Sequence, residues 1–310
     1  MTDVSIIIVN YNTLKMTSEC IDSVIEKTKG ISYEIILVDN ASTDGSKEFF
    51  SADYRVKYIY NDENLGFGRA NNKGIEIAQG RNILFLNPDT LLRNNAVKIL
   101  SDYLDSHVKT GGCGGNLFNK DGSQGMSLWH FFPSIYMEIN NFLDNIPNAI
   151  LFGENYNFNN KDVPINVSYI CGADLMVKHS IIKVIGGFNP RFHMYAEEAE
   201  LCNRIKRYKF NIVSVPYAEI THFDGAQRKR TESLDSYIKH QIQMEISKRI
   251  FFDLVYSKPY KIIAYSIRWC KIYLKLMSPL RSTRERWKRE KMIMDEAKRR
   301  YLSEKNTADA

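Results

Sequence analysis

Short apolar runs alternate with amphipathic segments along the first hundred residues of the chain. Residues 4–9, 33–39, 56–60 and 83–86 are runs of mostly apolar residues, and they predict four buried strands. Between these runs apolar residues recur every three or four positions, which predicts helices. Because strands that alternate with helices are joined by crossovers, the pattern predicts an α/β fold with a largely parallel sheet.

Beyond residue 104 the pattern becomes less regular. Residues 112–118 and 126–131 flank the polar turn 119–123, which predicts a β-hairpin. Residues 132–165 follow no regular period and have several aromatic side chains close by, which we interpret either as packing or as a wall for an acceptor. Residues 167–177 predict a further buried strand.

The charge distribution divides the chain near residue 225. Residues 226–310 carry 21 lysines and arginines against 10 acidic residues, a net charge of +11, whereas residues 1–225 have a net charge of −5. We therefore expect a folded domain over residues 1–225 and a basic helical extension over residues 226–310, interrupted at Pro259 and Pro279.

The basic extension also carries apolar side chains at helical spacing. They are Tyr256, Tyr260, Ile263, Ile267, Trp269 and Leu274. Basic helices with apolar faces are typical of contact with an anionic membrane, and the alternative is a helical cap or an oligomerisation arm. Nucleic acid is not expected as a partner, because no recognition motif accompanies the charge.

The chain has features of an intracellular protein. Its five cysteines are scattered and odd in number, which favours buried thiols over disulfides or a zinc site. The N-terminal residues run directly into a strand, and no apolar run approaches the roughly 18 residues of a membrane-spanning helix. We expect a cytoplasmic protein, with the inner face of the cell membrane as a site of peripheral attachment.

Asp89 is the first candidate for chemistry. It follows the apolar run 83–86, which ends at Asn87 and Pro88, so we expect it beyond the carboxyl end of a central strand. Open α/β sheets bind ligands there, and a carboxylate at that place can hold a cation that neutralises a diphosphate. The alternative is that Asp89 caps a helix that begins near Leu91.

Three carboxylates form a second candidate group. Glu197, Glu198 and Glu200 fall in the first turn of a predicted helix, where the helix dipole favours acidic residues. They are therefore consistent with an ordinary helix start as well as with acid–base chemistry. By contrast, the partial glycine motif at Gly66 and Gly68 lacks its third glycine and follows the third strand, which argues against a dehydrogenase.

Several stretches occur in the order that one family shows. They are VSIIIVNYN, EIILVDNASTDGS, NLGFGRANNKGI, ILFLNPDT, CGADLMV and IGGFNPRFHMYAEEAELCNR, with THFDGA after the last. Together they cover residues 4–225 and resemble the bacterial family 2 glycosyltransferases, in particular the rhamnosyltransferase-like branch. The resemblance implies a GT-A fold, a Rossmann-like α/β/α sandwich, here with a C-terminal helical extension. It also implies a nucleotide-diphospho-sugar donor and a Mg²⁺ or Mn²⁺ ion.

The resemblance also implies roles for single residues. The donor nucleotide would contact Asn10, Tyr11, Asn12, Asp39, Asn64, Gly66, Arg69 and Asn87. The donor sugar would contact Gly172, Ala173 and Asp174, the metal ion Asp89 and His222, and the diphosphate Arg228 and Arg230. Glu198 would be the catalytic base, with Glu197 as the alternative. The family usually has aspartate at the positions of Asn87, Glu198 and Glu200, so this chain departs from the pattern at all three.

These features predict a metal-dependent, inverting glycosyltransferase. It would move a sugar, with rhamnose as one candidate, to a hydroxyl group of a glycan or lipid-linked acceptor in bacterial surface polysaccharide synthesis. A non-catalytic protein that binds nucleotide-sugars is the alternative, since loss of activity would also explain the departures at Asn87 and Glu198. A homo-oligomer is compatible with either function.

Overall fold

The structure is a computed structural model that describes residues 2–223 and 233–308. The chain forms two compact units. The first takes the described residues of Met1–His130, Asn155–His193 and Glu197–Arg230, and the second those of Phe131–Glu154, Met194–Ala196 and Thr231–Ala310. The predicted division at residues 225 and 226 stays a prediction, and the irregular segment after residue 130 groups with the C-terminal helices.

The first unit contains eleven strands and six helices among its described residues. Numbered along the chain, the strands are β1 (Val4–Asn10), β2 (Tyr33–Asp39), β3 (Lys57–Tyr60), β4 (Asn82–Leu86), β5 (Thr90–Leu92), β6 (Thr110–Phe118), β7 (Leu128–Trp129), β8 (Ile165–Val167), β9 (Tyr169–Ile170), β10 (Asp174–Lys178) and β11 (Asn211–His222). The helices are α1 (Leu14–Lys27), α2 (Ser46–Ser51), α3 (Phe67–Ile77), α4 (Ala96–Ser106), α7 (His179–Ile185) and α8 (Glu197–Arg207).

A single large sheet runs through the first unit in the order β3-β2-β1-β4-β10-β6-β11-β5, with β8 beside β11. Strands β3, β2, β1 and β4 are parallel, and so are β6 and β11, whereas β10 is antiparallel to both of its neighbours. The predicted α/β fold is therefore confirmed. The sheet is mixed because β10 enters it in the opposite direction.

Helices cover both faces of this sheet. On one face, Ile6 and Ile8 of β1 belong to a core with Ile21 of α1 and Leu100 of α4. On the other face, Ile7 lies against α3, where a Cβ atom on Gly74 would come within 2.5 Å of the Ile7 Cγ2 atom. Because both faces are covered, the central strands are apolar at nearly every position.

The predicted hairpin of residues 112–118 and 126–131 is wrong. Strand β6 instead lies between β10 and β11 in the large sheet, and β7 pairs with β9 in a separate two-stranded sheet. Only Phe118 and Gln124 form an isolated bridge across the turn. The glycine-rich sequence of β6 explains the difference, because a Cβ atom on Gly115 would lie 2.3 Å from the Ala218 carbonyl oxygen of β11.

The predicted strand of residues 167–177 is interrupted. Strand β9 ends at Ile170 and β10 begins at Asp174, and a turn at Gly172 lies between them. The two strands belong to different sheets, so the chain changes direction at this turn. The turn brings Gly172 to the carboxyl edge of the central strands.

Gly66 allows two loops of the first unit to approach closely. Its φ angle is 83°, and a Cβ atom there would lie 2.3 Å from the His193 carbonyl oxygen. The neighbouring Phe67 amide donates a hydrogen bond to the same oxygen at 3.0 Å. Position 66 therefore needs glycine both for its left-handed backbone and for the space that the His193 carbonyl occupies.

The second unit is helical. Its helices are α5 (Ile135–Phe142), α6 (Ile146–Phe152), α9 (Leu234–Val255), α10 (Lys258–Leu276) and α11 (Arg281–Ala308). The predicted interruptions are confirmed, since Pro259 stands in the first turn of α10 and Pro279 lies between α10 and α11. Among the helices of the described residues, none is both long enough and apolar enough to cross a membrane.

Buried charges hold these helices together. Glu138 of α5 pairs with Lys248 of α9, and Glu245 of α9 pairs with Arg268 of α10. Asp253 of α9 accepts hydrogen bonds from Lys261, from Tyr301 and, at 2.8 Å, from Lys305. The aromatic side chains of residues 131–136 pack within this unit, as the stacked rings of Phe132 and Phe251 at 6.1 Å illustrate.

We expect Gly66→Ala to lower the free energy of unfolding by at least about 2 kcal/mol more than Gly122→Ala. Gly122 is the matched control because its φ angle is 81° but no heavy atom would lie within 4 Å of a Cβ atom there. Denaturant melts of the two variants measure the difference. Equal losses would mean that the His193 loop moves away at no cost.

We expect Asp253→Ala to lower the stability of the second unit by about 2 kcal/mol, because three donors lose their acceptor. The fluorescence of Trp269 and Trp287, both in this unit, follows its unfolding. Asp102→Ala is the control, since Asp102 pairs with Lys98 on the exposed surface of the first unit.

The stability of the second unit should also depend on pH. Donors that bind Asp253 hold its pKa well below the usual 3.8, so the contribution of Asp253 to stability is present above about pH 4 and is lost in acid.

Candidate functional site

The candidate site lies at one edge of the large sheet, where the parallel strands β1, β2 and β4 end. The register pairs Asn10 with Asp39 at the ends of β1 and β2, and Leu86 of β4 with Asp174 at the start of β10. Strand β11 also ends here, where His222 pairs with Thr90 of β5. The fold therefore brings together residues that are up to 212 positions apart in the sequence.

A first polar group centres on Asp39, whose side chain is fully buried. Its Oδ1 atom accepts a hydrogen bond from the Ser42 amide at 2.9 Å, and its Oδ2 atom accepts one from the Tyr58 hydroxyl at 2.9 Å. The Ser42 hydroxyl in turn accepts from the Asn10 side chain at 3.0 Å and from the Asn12 amide at 2.9 Å. Three predicted nucleotide contacts thus form one connected group.

Tyr11 lies between two members of this group and is 48% exposed. An aromatic ring at the edge of a ligand site can stack on a planar ring such as a nucleobase. The carboxylate of Asp39 keeps free lone pairs beside the two donors that it binds, but its side chain is enclosed, so Tyr11 is the exposed side chain of this group. This part of the site suits a nucleoside.

Other predicted nucleotide contacts already bind atoms of the protein. The Asn64 side-chain oxygen accepts from the Asn40 side chain at 2.7 Å and from the Gly66 amide at 2.9 Å. Arg69 donates to the Pro190 carbonyl oxygen at 2.8 Å. These side chains fix the loops around the site in this structure, while Gly66 makes room for His193.

A second polar group consists of Asn87, Asp89 and His222. The Nε2 atom of His222 lies 3.3 Å from Asp89 Oδ1 and 3.4 Å from Asn87 Nδ2. The backbone amide of Asn87 donates a hydrogen bond to the Ala173 carbonyl oxygen at 3.0 Å, which connects the end of β4 to the turn before β10. The alternative in which Asp89 caps a helix is wrong, because the strand β5 follows it and α4 begins only at Ala96.

Within residues 2–223 and 233–308, no three His, Cys, Asp or Glu side chains are grouped so as to hold a metal ion. The pair of Asp89 and His222 still fits one. Mg²⁺ is commonly held by one or two carboxylates together with the phosphates of a substrate and several waters. Both side chains are partly accessible, with 22% of Asp89 and 12% of His222 exposed.

Asp174 and Ala173 lie behind this pair and are fully buried. Asp174 Oδ2 accepts a hydrogen bond from the Gly115 amide at 2.5 Å, and its Oδ1 atom has no hydrogen-bond partner in the described part of the chain. Burial raises the pKa of Asp174 to about 7, and the nearby His222 opposes that rise. Because both side chains are enclosed, a sugar would reach the turn through Gly172.

Gly172 faces the start of α8. A Cβ atom on Gly172 would lie 3.7 Å from Glu198 Cβ and 3.8 Å from the Phe67 ring, so the turn at Gly172 lies directly beside the Glu198 side chain. Burial raises the pKa of Glu198 to about 7. Burial, followed by the charge of Glu198, raises the pKa of Glu197 well above its ordinary range.

The three carboxylates of α8 differ in their surroundings. Glu200 is bound by Arg204 at 2.8 Å, and Arg204 also donates to the carbonyl oxygens of Ile185, Gly186 and Gly187. Glu200 therefore stabilises the preceding loop. The Glu197 Oε2 atom is buried without a hydrogen-bond partner among the described residues, which leaves Glu197 and Glu198 for proton transfer.

Two features of the structure were not predicted. Ser42 and Tyr58 hold the Asp39 carboxylate, and although Ser42 lies in the polar turn after β2, only the folded chain brings Tyr58 beside it. Among the residues of the second unit, Tyr195 and Ala196 have φ angles of 73° and 64°, a strained conformation for residues with side chains that the sequence did not predict either. Arg228 and Arg230 lie outside the described residues.

Solved structures share this fold. A mannosyltransferase from Pyrobaculum calidifontis, in complex with GDP-Man and Mn²⁺, is 13% identical with a TM-score of 0.57, over 97% of this chain and 89% of that one. GalNAc-T7 with UDP, GalNAc and Mn²⁺ is 17% identical with a TM-score of 0.59, over 93% of this chain and 55% of that one. The predicted GT-A fold with C-terminal helices is thereby confirmed.

Sequence comparison gives the family. The hexosyltransferase Agl10 of low-salt glycan biosynthesis in Haloferax volcanii is 25% identical over 86% of this chain and 80% of its own length. Glycosyltransferase GlyG of Streptococcus pneumoniae is 33% identical over 39% of this chain, and the match spans 41% of that protein.

An N-acetylglucosaminyl-diphospho-decaprenol L-rhamnosyltransferase of Mycobacterium tuberculosis is 26% identical over 61% of this chain and 66% of its own length. The family model "Glycosyl transferase family 2" matches residues 5–173, more than half of the chain. The chain belongs to glycosyl transferase family 2.

Proposed function

We propose that this protein transfers a sugar from a nucleotide-diphospho-sugar to a hydroxyl group of a glycan or lipid-linked acceptor. One observation supports this function above others. The nucleoside group around Asp39, the pair of Asp89 and His222, and the carboxyl groups of Glu197 and Glu198 all belong to one compact unit, and the first two share one sheet edge.

The donor would bind along this edge from its nucleoside to its sugar. Asp39 and Asn10 would bind the ribose and base, with Tyr11 at the side. The solved structures of the same fold were obtained with UDP or with GDP-Man, which supports a nucleoside diphosphate but leaves its base open. Arg228 and Arg230 remain predicted contacts of the diphosphate.

Asp89 and His222 would hold a divalent metal ion, and Asn87 would assist through its amide group. When bound, the ion offsets the charge that develops on the diphosphate leaving group. Mn²⁺ in structures of the same fold supports a divalent ion, and Mg²⁺, which prefers oxygen ligands, would rely on Asp89 more than on His222. Because Asn87 stands where the family usually has aspartate, the carboxylate of the segment 87–89 comes from Asp89.

Glu198 would act as the general base. Its carboxylate would accept the proton of the acceptor hydroxyl while that oxygen attacks the anomeric carbon and the bond to the diphosphate breaks, which inverts the configuration. The short distance between Gly172 and the Glu198 side chain supports this role, because Gly172 is a predicted contact of the donor sugar. A base whose pKa lies near the working pH is well matched to this task.

The acceptor and the donor sugar stay predictions of the resemblance. The mycobacterial relative is named for rhamnose and for an acceptor on a diphospho-lipid, which supports rhamnose and a lipid-linked acceptor as the first pair to try. Surface polysaccharide synthesis, a cytoplasmic location and attachment of the C-terminal helices to the inner face of the membrane belong to the same proposal.

We expect Asp89→Ala to remove the metal dependence of donor binding. Titration calorimetry with UDP, GDP and dTDP, each with and without Mn²⁺, measures the effect without any turnover. We expect the native chain to bind one nucleotide more tightly with Mn²⁺ and the variant to bind it equally with and without the ion. Asp121→Ala, in the exposed turn of residues 119–123, is the control. Unchanged metal dependence in Asp89→Ala would remove this residue from the metal site.

We expect Glu198→Gln to lower kcat by about 100-fold or more with little change in donor affinity, because the amide keeps the shape but cannot accept a proton. Glu197→Gln is the matched comparison. A larger loss in Glu197→Gln would assign the base to that residue. A native chain that binds donor but neither transfers nor hydrolyses it would support the non-catalytic alternative.

The raised pKa of Glu198 predicts how the reaction rate depends on pH. A base must be deprotonated to act, and the raised pKa of Glu198 means that kcat/KM should rise as the pH increases through about 7. Rates measured between pH 5 and pH 9 give the profile. A profile that is already flat across this range, as expected for the ordinary glutamate value of 4.5, would show that the carboxyl group is well solvated in the working enzyme.

A further inference from the structure

The outward side of α10 in the second unit is apolar. Its exposed positions follow helical spacing and are Ile262, Ile263, Ser266, Cys270, Tyr273, Leu274 and Met277, which we call the α10 outer face. Of these, Ile262 is 57% exposed, Leu274 is 54% exposed and Met277 is 80% exposed. A surface helix of a soluble protein normally turns such a stripe toward the core.

The inward side of the same helix carries charge. Lys271 is only 6% exposed and donates to the Asn141 carbonyl oxygen and, at 2.7 Å, to Asp144. Arg268 pairs with Glu245 within the unit. Together with the buried Ala264 and Ile272, these polar contacts hold the inner side of α10 and leave an apolar stripe facing outward.

The structure selects a different apolar face from the one that the sequence predicts. The rings of Tyr256 and Tyr260 stack on each other at 4.1 Å, and the Tyr260 hydroxyl oxygen accepts a hydrogen bond from the Ile135 backbone amide at 3.0 Å. Trp269 is partly buried, with the Lys291 ammonium 5.9 Å from its ring. These aromatic side chains hold helices together, and of the six predicted residues Ile263 and Leu274 lie on the α10 outer face.

A second exposed apolar group adjoins the first. Leu143, Ile146, Ile150 and Leu151 are 46%, 58%, 78% and 60% exposed, and we call them the α6 tip. Asp144 binds Lys271 at 2.7 Å and lies 3.7 Å from Lys275, which connects the tip to the last turns of α10. Because Leu143 precedes Asp144 and Leu274 precedes Lys275 in the sequence, these ion pairs bring the start of the α6 tip to the end of the α10 outer face.

Positive charge borders this apolar surface. The Lys275 side chain is 42% exposed, and Arg281, Arg284 and Arg286 are exposed at the start of α11, directly after Met277 and Leu280. Residues 226–310 have a net charge of +11. A second copy of the chain would bring the same charge against this surface, whereas an anionic lipid surface is complementary to it.

We propose that the α10 outer face and the α6 tip insert together into the interfacial layer of an anionic membrane. Residues 262–277 span about 23 Å at 1.5 Å per residue, so α10 would lie in the membrane plane with its apolar side down and its basic neighbours at the phosphates. The inference deepens the proposed function, on which it rests for the lipid-linked acceptor, but the lipid contact itself requires no catalysis.

Cys270 provides a direct probe, because it is the exposed cysteine of the α10 outer face and the other four are buried or partly buried. We label it with an environment-sensitive maleimide dye, verify the site by peptide mapping, and add vesicles of phosphatidylcholine with or without phosphatidylglycerol. A blue shift in emission with the anionic vesicles, and quenching by brominated lipid tails, is the expected result. Unchanged emission with both vesicle types would overturn the proposal.

Variants test the two apolar groups separately. We expect Ile263→Ser with Leu274→Ser, and Ile150→Ser with Leu151→Ser, each to weaken co-sedimentation with anionic vesicles by about tenfold or more. Val108→Ser with Val184→Ser is the control, since these exposed residues of the first unit should leave binding unchanged. Losses equal to that of the control would overturn insertion.

Light scattering gives the oligomeric state and so distinguishes a surface that binds lipid from one that binds a second copy of the chain. If the native chain is dimeric and the Ile263→Ser, Leu274→Ser variant is monomeric with full vesicle binding, the surface is a dimer contact and the proposal fails. If the variant keeps its oligomeric state and loses vesicle binding, the proposal stands. Donor binding by the variant, measured without lipid, shows whether the proposed function holds independently.

Discussion

The site depends on the parallel register of β1 between β2 and β4. These strands are buried on both faces, so their backbone hydrogen bonds and apolar side chains fix them relative to one another along their whole length. Each strand is followed by polar residues at the same edge, where neighbouring strands no longer form hydrogen bonds with the backbone. Asn10, Asp39 and Asn87 meet there because of this register.

Polar groups at that edge are already oriented by the protein. Ser42 and Tyr58 hold Asp39, and the Ala173 carbonyl oxygen holds the backbone of Asn87. A ligand that binds such groups does not have to order them, which lowers the entropic cost of binding. Where burial outweighs the hydrogen bonds from backbone amides, as at Glu197 and Glu198, the result is instead a raised pKa.

The sequence predicted the parts of the fold that depend on local pattern. The strands β1, β2 and β4 were predicted because a strand buried on both faces is apolar throughout, and Asp89 was placed at a strand end because proline stops the ladder. The hairpin failed because the choice of partner for β6 is made by distant strands, which no local pattern reports. The contact between Tyr58 and Asp39 and the strain at Tyr195 depend on the folded backbone in the same way.

The second unit shows why the spacing of apolar residues cannot tell which side of a helix faces the core. An amphipathic helix has an apolar stripe and a polar stripe, and the usual assumption is that the apolar one faces inward. In α10 the buried Lys271 lies beside the buried Ile272, because Asp144 and Asn141 provide partners for the lysine, and Leu274 stays exposed. Folding alone gains little from apolar side chains that remain in water, so an outward apolar stripe bordered by arginines indicates a partner that supplies both hydrocarbon and negative charge.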